Sequence, residues 1–274
     1  MSLHQTCFLR IATFVCILLS GVFTANLMAF DHLTVDDGLS QGTITAILQD
    51  RQGFMWFGTS DGLNRYDGYS FTIYRNIQGN PGSLPYSIVS ALYEDREGTL
   101  WVGTAGGGLA RFDSDTETFT SFPLVPEKDV SSGGMLIGTI CEDSRGNLWI
   151  SAGNRLSTII QFLPRTGEWF QYPLTDKDTG HALERLRIFS DDRGQVWVLA
   201  DTQVLRWDSK DKSFHQVPME SVDPSPLVPY FMCETDKGLV CLTSQGVFVP
   251  GEASDHFEYL EPFRLTRHRT GRNV

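Results

Sequence analysis

A seven-residue motif that recurs at a nearly constant interval constrains the fold of this chain more than any other feature of its sequence. Four segments share the pattern Asp-x-x-Gly-x-x-Trp, and their tryptophans follow one another at intervals of 45 (56 to 101), 48 (101 to 149) and 48 residues (149 to 197). A period of about 20–50 residues is typical of architectures in which each copy is one supersecondary unit. The positions that define the four copies are Asp50, Gly53, Trp56, Asp95, Gly98, Trp101, Asp143, Gly146, Trp149, Asp191, Gly194 and Trp197.

Each copy is predicted to form four short β-strands. In the first copy, strand-like stretches at 43–50, 54–59, 63–66 and 70–74 are separated by Gly, Asp or Asn. Helical solenoids are excluded, because no copy contains a twelve-residue stretch with apolar residues at helical spacing. The predicted fold is all-β, a β-propeller with four-stranded blades and about five repeats within residues 30–260. The predicted blades span residues 43–74, 88–122, 136–172, 185–217 and 230–260.

The recurring Asp and Gly have a local explanation in turn chemistry. Asp at the first position caps a four-residue turn with its side chain, and Gly at the fourth closes a type I turn with a G1 bulge. With that bulge, Leu48 lies opposite Trp56 on the neighbouring strand. Such apolar pairs are predicted to form the cores between blades. The same register pairs Tyr93 with Trp101, Cys141 with Trp149 and Phe189 with Trp197.

A fifth, degenerate copy occupies residues 235–241, where Thr235 replaces the Asp and Cys241 replaces the Trp. The register of the other copies would place Cys233 opposite Cys241. Such a pair forms either a strained cross-strand disulfide or a contact between two small buried apolar residues. The demanding geometry of disulfides favours the second alternative.

Residues 1–29 differ in composition from the rest of the chain. Residues 11–25 are an unbroken run of apolar and small residues, and no charge follows until Asp31. This pattern predicts either a cleaved export signal, which the short apolar region favours, or an inner-membrane anchor formed by residues 11–29. Both alternatives predict a periplasmic protein. The net charge of −11 opposes contact with phosphate backbones, so no nucleic-acid partner is expected.

The two ends of the repeat array predict an incomplete ring. Residues 30–35 align with the fourth strand of a repeat, and three more strands would be needed to complete that blade. Within the predicted basic tail, 261–274, residues 263–272 carry four Arg and no acid, and no sixth motif precedes Val274. A truncated array is therefore expected in preference to the alternative, a complete five-bladed ring.

Three stretches of the chain carry a family resemblance. They are residues 38–41 (Gly-Leu-Ser-Gln), 47–68 and 101–113. They closely resemble the two-component regulator propeller family, and the resemblance extends over residues 30 to about 210 before it weakens. It implies the periplasmic sensor portion of a bacterial membrane receptor, with a histidine kinase or diguanylate cyclase as output. It also implies propellers of about seven blades, of which this chain would hold an incomplete ring.

The chain departs from this family plan, because it has no second membrane helix and no kinase or cyclase module. Catalytic residues, cofactors and metal ligands are not expected. The triglycine 106–108 lacks the following Lys of a phosphate-binding loop and is interpreted as a turn, and Asp36 and Asp37 are interpreted as solvated loop carboxylates. The six histidines lack the spacing of a metal site; they are His4, His32, His181, His215, His256 and His268.

Exposed aromatic residues are the remaining signal for a binding site. Sugars and aromatic ligands stack on such rings where loops converge at a propeller face. The candidates are Tyr66, Tyr69, Tyr86 and Trp169. Packing within blades is the alternative explanation, and it is favoured because regular copies place aromatics at comparable positions.

The leading hypothesis is an extracytoplasmic sensor or ligand-binding propeller of a two-component-type or cyclic-di-GMP signalling receptor, in a truncated chain that lacks its output module. The expected partners are a small-molecule or oligosaccharide ligand, and further propeller and signalling domains or a dimer partner. The alternative is a secreted propeller enzyme that acts on polysaccharide as a lyase or hydrolase. An enzyme of that kind needs acid-rich positions on the inward-facing first strands, which instead carry Ala46, Ala91, Thr139 and Ile188.

Overall fold

The regular structure of the chain consists of short antiparallel strands. The computed structural model describes residues 32–124, 135–153, 158–176, 179–220, 224–236, 238–251 and 256–260. These residues contain five separate sheets of four strands, and each strand pairs with its neighbours in the sequence. The prediction of an all-β propeller with four-stranded blades is confirmed.

The five sheets are the blades, numbered here in chain order. The first contains β1 (Ile44–Gln49), β2 (Met55–Thr59), β3 (Gly62–Tyr66) and β4 (Phe71–Tyr74). The second contains β5 (Val89–Glu94), β6 (Leu100–Thr104), β7 (Leu109–Asp113) and β8 (Thr118–Phe122). The third contains β9 (Ile137–Glu142), β10 (Leu148–Ala152), β11 (Thr158–Leu163) and β12 (Glu168–Pro173).

The last two blades have the same strand order. The fourth contains β13 (Arg187–Ser190), β14 (Val196–Ala200), β15 (Gln203–Asp208) and β16 (Ser213–Val217). The fifth contains β17 (Pro229–Thr235), β18 (Gly238–Thr243), β19 (Gly246–Pro250) and β20 (Phe257–Leu260). Because the strands alternate in direction, the turns after the first and third strands of every blade lie on one face of the array. We call this the turn face.

Apolar side chains fill the space between successive blades. Trp101 of the second blade lies 5.5 Å from Phe162 of the third, measured between ring centroids, and Trp149 lies 4.6 Å from Trp207 of the fourth. The predicted pair of Leu48 with Trp56 is present. The predicted pairs in copies two to four are also confirmed, namely Tyr93–Trp101, Cys141–Trp149 and Phe189–Trp197.

The predicted pairing of Cys233 with Cys241 is wrong by one residue. Met232 lies opposite Cys241, while Cys233 lies opposite Val240, and all three described cysteines are free. The cause is a shorter turn in the fifth copy. Thr235 pairs directly with Gly238, whereas the backbone N–H of Asp50 donates to the carbonyl of Phe54, one residue further along its turn.

The predicted strand at 30–35 is wrong in its described part. Residues 32–34 have no regular structure, and Val35–Asp37 form a short 3-10 helix. The chain then packs against the first blade, where Ser40 donates its backbone N–H to Asn64 Oδ1 at 2.8 Å. Asn64 is fully buried and returns a hydrogen bond to Ser40 Oγ at 2.9 Å. The segment is therefore held by side-chain hydrogen bonds and not by a strand ladder.

The ring is not closed by strand pairing in the described residues. First strands lie beside one another in chain order, β1 next to β5, β5 next to β9 and β9 next to β13. Neither the sheets nor the isolated bridges of the described ranges join the fifth blade to the first.

The predicted export segment, residues 1–29, and the predicted basic tail, residues 261–274, lie outside the described residues. Within the residues that are described, no helix has the length and apolar character needed to span a bilayer.

Candidate functional site

The four complete motifs share one hydrogen-bond arrangement that ties the turn to the sheet. In each, the Asp Oδ1 atom accepts backbone N–H groups two and four residues later. The Asp Oδ2 atom accepts the indole Nε1–H of the motif Trp, at 2.7 Å for Trp56, 2.7 Å for Trp101, 2.9 Å for Trp149 and 3.1 Å for Trp197. The buried indole nitrogen is thereby satisfied.

The prediction of an Asp-capped turn closed by Gly fits this geometry. Gly53 has a φ of 95° and donates its N–H to the carbonyl of Asp50 at 2.9 Å, and the other three copies repeat this arrangement. The Asp–Trp bond was not predicted. The constant six-residue spacing between the two side chains was the available signal.

The first two junctions between blades are linked at the turn face by a Glu of the next blade. The backbone N–H of Arg51 donates to both carboxylate oxygens of Glu94, at 3.1 and 3.3 Å, and its Nε lies 3.0 Å from Oε1. The Arg51 guanidinium also donates to the carbonyls of Asp95 and Arg96. At the second junction, the Arg96 N–H donates to Glu142 Oε2 at 2.9 Å. We call this arrangement the Arg–Glu link.

The third junction lacks both partners of the Arg–Glu link. Ser144 stands at the position of Arg51 and Arg96, and Ser190 stands at the position of Glu94 and Glu142. The two turns instead touch directly, since a methyl group at Gly194 would collide with the backbone of Ser144.

The fourth junction keeps the Glu but replaces the Arg with an acid. Glu234 faces Asp192, and burial together with the Asp192 and Asp191 carboxylates raises the pKa of Glu234 above its ordinary value. Its buried Oε2 atom has no hydrogen-bond partner among the described residues.

A groove of about 780 Å³ opens on the turn face between the third and fourth blades. We call it the blade 3–4 groove. Its volume lies within the range of about 300–1,000 Å³ that small-molecule sites occupy. Aromatic rings of both blades line it, among them Tyr172 and Trp207, whose centroids are 4.8 Å apart. Amide side chains also line it, those of Asn147, Gln161 and Gln195.

Cations are concentrated in the blade 3–4 groove although the chain is acidic overall. Five basic residues line it: Arg145, Arg193, Arg206, Lys210 and Lys212. Three carboxylates line it too. Two of them, Asp143 and Asp191, already accept hydrogen bonds from their turns and from the motif tryptophans. The groove can therefore offer positive charge, hydrogen bonds and flat aromatic surface to one ligand.

Two of the predicted aromatic candidates lie near the β3–β4 turn of the first blade. Tyr69 is 94% exposed. Tyr66 is half-buried, packs on Phe71 at 4.7 Å between centroids and donates its hydroxyl to the Gly68 carbonyl. Neither residue lines the blade 3–4 groove.

The other two candidates lie elsewhere. Tyr86 belongs to the β4–β5 connection, on the face opposite the turn face, and is 43% exposed beside Gly106. A smaller depression of about 370 Å³ lies in the same connection. Trp169 is half-buried against the core between the second and third blades. The structure thus distributes the four candidates over different parts of the molecule, and their role in binding stays a prediction.

One group in the described part of the chain has the composition of a cation site. The ligand atoms of Asp208, Asp211 and His215 lie within 4.8 Å of one another. His215 Nε2 is already 2.6 Å from Asp211 Oδ2, and hydrogen bonding from Ser213 and His215 lowers the pKa of Asp211. Hydrogen bonds inside the group account for its geometry.

Sequence comparison with known proteins matches the repeats. The model of the two-component regulator propeller matches residues 38–61, 83–106 and 131–154, and each matched segment contains one complete motif. A histidine kinase P4 from Formosa agariphila is 53% identical over 47 residues. That match covers 17% of this chain and 3% of the relative, so the chain spans only a small part of that protein.

Two solved structures share the fold. The extracellular domain of a hybrid two-component system from B. thetaiotaomicron has a TM-score of 0.63 and 21% identity, covering 83% of this chain and 31% of the other. PorZ, a surface component of the type-IX secretion system of Porphyromonas gingivalis, has a TM-score of 0.57 and 16% identity, covering 79% of this chain and 33% of the other. Three segments of the chain thus match the two-component regulator propeller repeat, and the two solved structures show the same propeller fold.

Proposed function

We propose that this chain is the extracytoplasmic sensor region of a bacterial signalling receptor, of the two-component or cyclic-di-GMP type. The observation that carries the proposal is the match of three successive blades to the two-component regulator propeller repeat. The partial match to a histidine kinase agrees with it, because that relative is a signalling protein. The output module would lie in another part of the receptor.

The proposed activity is binding without turnover. The blade 3–4 groove supports it, because the groove combines aromatic, amide and cationic side chains at the volume of a small-molecule site. The proposed ligand is a small molecule or an oligosaccharide. Further propeller and signalling domains, or a second copy, are the proposed protein partners.

The proposed location is the periplasm, with residues 1–29 as export signal or anchor. A fusion of alkaline phosphatase to the C-terminus of the full chain tests it, since that enzyme needs disulfides that form only in an oxidising compartment. We expect phosphatase activity with the full chain and none with a matched fusion that lacks residues 1–29. Activity confined to the matched fusion would contradict the proposed location.

Binding is tested by thermal unfolding of the full chain against a panel of neutral and acidic oligosaccharides. A ligand that binds only the folded state raises the Tm, and the rise grows with the logarithm of its concentration above the Kd. We expect at least one member to raise the Tm and to remain chemically intact by chromatography. Consumption of the ligand would support the secreted enzyme and contradict the sensor.

A further inference from the structure

The turn sequences of the first four blades place their Arg at two different positions. The first two turns carry Arg at the second position, as Arg51 and Arg96, whereas the next two carry it at the third, as Arg145 and Arg193. The second-position residues form the Arg–Glu links to the next blade. A shift of one residue in a tight turn changes the direction in which the side chain leaves the backbone.

The third-position arginines do not form the Arg–Glu link, although Arg193 lies near enough to Glu234 for Coulomb attraction. Both Arg145 and Arg193 are exposed, and neither guanidinium has an ion-pair partner within 4.0 Å among the described residues. Their turns touch at Ser144 and Gly194, each one residue away from an Arg. The two arginines therefore belong to the same end of the blade 3–4 groove, where both line its wall.

The other end of the groove has a different character. Lys210 and Lys212 lie there on the β15–β16 turn, but Asp208 and Asp211 lie on the same turn and oppose them. Phe170 and Trp207 supply aromatic surface towards this end. At the end that holds the two arginines, the carboxylates of Asp143 and Asp191 accept hydrogen bonds from their own turns and tryptophans. The two guanidinium groups are therefore the charged groups left there to contact a ligand.

The equivalent junctions show which group is missing. In the first two junctions a carboxylate, from Glu94 or Glu142, lies between the neighbouring turns and accepts hydrogen bonds from the turn of the preceding blade. At the third junction Ser190 supplies none. Guanidinium groups bind carboxylates through paired, charge-assisted hydrogen bonds, which are stronger than neutral ones.

We propose that the blade 3–4 groove is a binding site for a small ligand that carries carboxylate groups, with one carboxylate held by Arg145 and Arg193. The ligand supplies at this junction a carboxylate, the group that Glu94 and Glu142 supply at the first two junctions. Its remaining surface packs on Trp207 and Phe170. The inference names a ligand class and a site for the sensor function proposed above, and in that respect it rests on that function.

Isothermal titration calorimetry of the full chain tests the proposal with three probes. Trigalacturonate represents an acidic oligosaccharide, citrate a small polycarboxylate that is not a sugar, and maltotriose a neutral sugar of similar length to the first. We expect trigalacturonate or citrate to bind, maltotriose to bind at least tenfold more weakly, and the affinity to fall with added salt. Binding of one acidic probe and not the other identifies the source of the carboxylate.

The double variant Arg145→Gln/Arg193→Gln is expected to bind the acidic probe at least tenfold more weakly, because two charge-assisted hydrogen bonds are lost. Arg111→Gln is the matched control, since Arg111 is an exposed cation of the second blade outside the groove. Both variants must keep the wild-type Tm. Equal weakening in the control, or binding unchanged in the double variant, would overturn the site.

Failure of this inference is distinguishable from failure of the proposed function. If neither acidic probe binds while a neutral oligosaccharide raises the Tm in the panel, the carboxylate site is wrong and the sensor stands. If the bound probe is chemically converted, the proposed sensor function is wrong, whichever ligand the groove binds.

Discussion

The junction between the second and third blades contains Arg96 and the buried Glu142, whereas the junction between the third and fourth contains a serine at each of those positions. The Asp–Trp bond and the turn are the same on both sides of the comparison. At the first of these junctions, Arg96 and Glu142 contact each other and hold the two blades together. At the second, the turns touch through backbone and leave a groove lined with cations. The repeat thus keeps its framework through Asp, Gly and Trp, while the residues between them decide what each junction does.

The largest effect is expected from Trp101→Ala, which removes a side chain that is 1% exposed between the second and third blades. Loss of a buried aromatic of this kind costs about 3–5 kcal/mol in free energy of unfolding, measured by denaturant titration. Trp169→Ala, at a half-buried tryptophan, is the comparison variant and is expected to cost less. Equal losses of stability in the two variants would show that a motif tryptophan stabilises the blades no more than another tryptophan does.

Glu142→Ala is expected to have the next largest effect. Its side chain is 5% exposed and accepts the Arg96 N–H in a part-buried hydrogen bond, so its removal leaves that donor without its partner at a cost of about 1–3 kcal/mol. Ser190→Ala, at the matching position one blade later, should change the free energy of unfolding by less than about 0.5 kcal/mol. A similar loss in both variants would contradict the distinction between the two junctions.

A smaller effect is expected when the missing link is built in. Ser144→Arg/Ser190→Glu should give a favourable coupling energy of about 0.5 kcal/mol in a double-mutant cycle, the size typical of an exposed ion pair. The same double variant should weaken the binding of citrate or trigalacturonate, because the introduced Glu would occupy the carboxylate position. A coupling energy of zero, with ligand binding unchanged, would show that the third junction cannot adopt the geometry of the first two.

The smallest effect concerns the fourth junction and depends on pH. Because burial and neighbouring carboxylates raise the pKa of Glu234 in the folded chain, stability is lost as pH rises through the ordinary value of 4.5 towards the raised one. Glu234→Gln should therefore stabilise the chain at pH 7 and make little difference at pH 4. Glu97→Gln, the same substitution at an exposed turn position, is the control variant. Denaturant titrations at the two pH values measure both.

Local chemistry made the blades predictable from the sequence. Asp50, Gly53 and Trp56 specify a turn and a cross-strand pair within seven residues, so repetition of that short pattern gave the strands, the register and the fold class. The error at Cys233 has the same origin. One residue fewer in the fifth turn shifts the whole pairing by one, and the sequence of that turn departs from the motif at its first position.

Features that depend on two blades at once were not predictable in the same way. The Arg–Glu link joins residues 43 apart in the case of Arg51 and Glu94, and it requires the stacking geometry of the blades. The blade 3–4 groove has the same requirement. A signal was present nevertheless, since Arg moves from the second to the third turn position between the second and third copies.

The Asp–Trp bond has a spectroscopic consequence. Each of the first four blades carries one indole N–H that is buried and hydrogen-bonded to a carboxylate, whereas the fifth has Cys241 in place of the indole. The indole protons of Trp56, Trp101, Trp149 and Trp197 should therefore exchange with deuterated solvent only when their own blade opens. In a nitrogen–proton correlation spectrum they form four built-in reporters, one for each blade. Their order of disappearance would give the order in which the blades come apart.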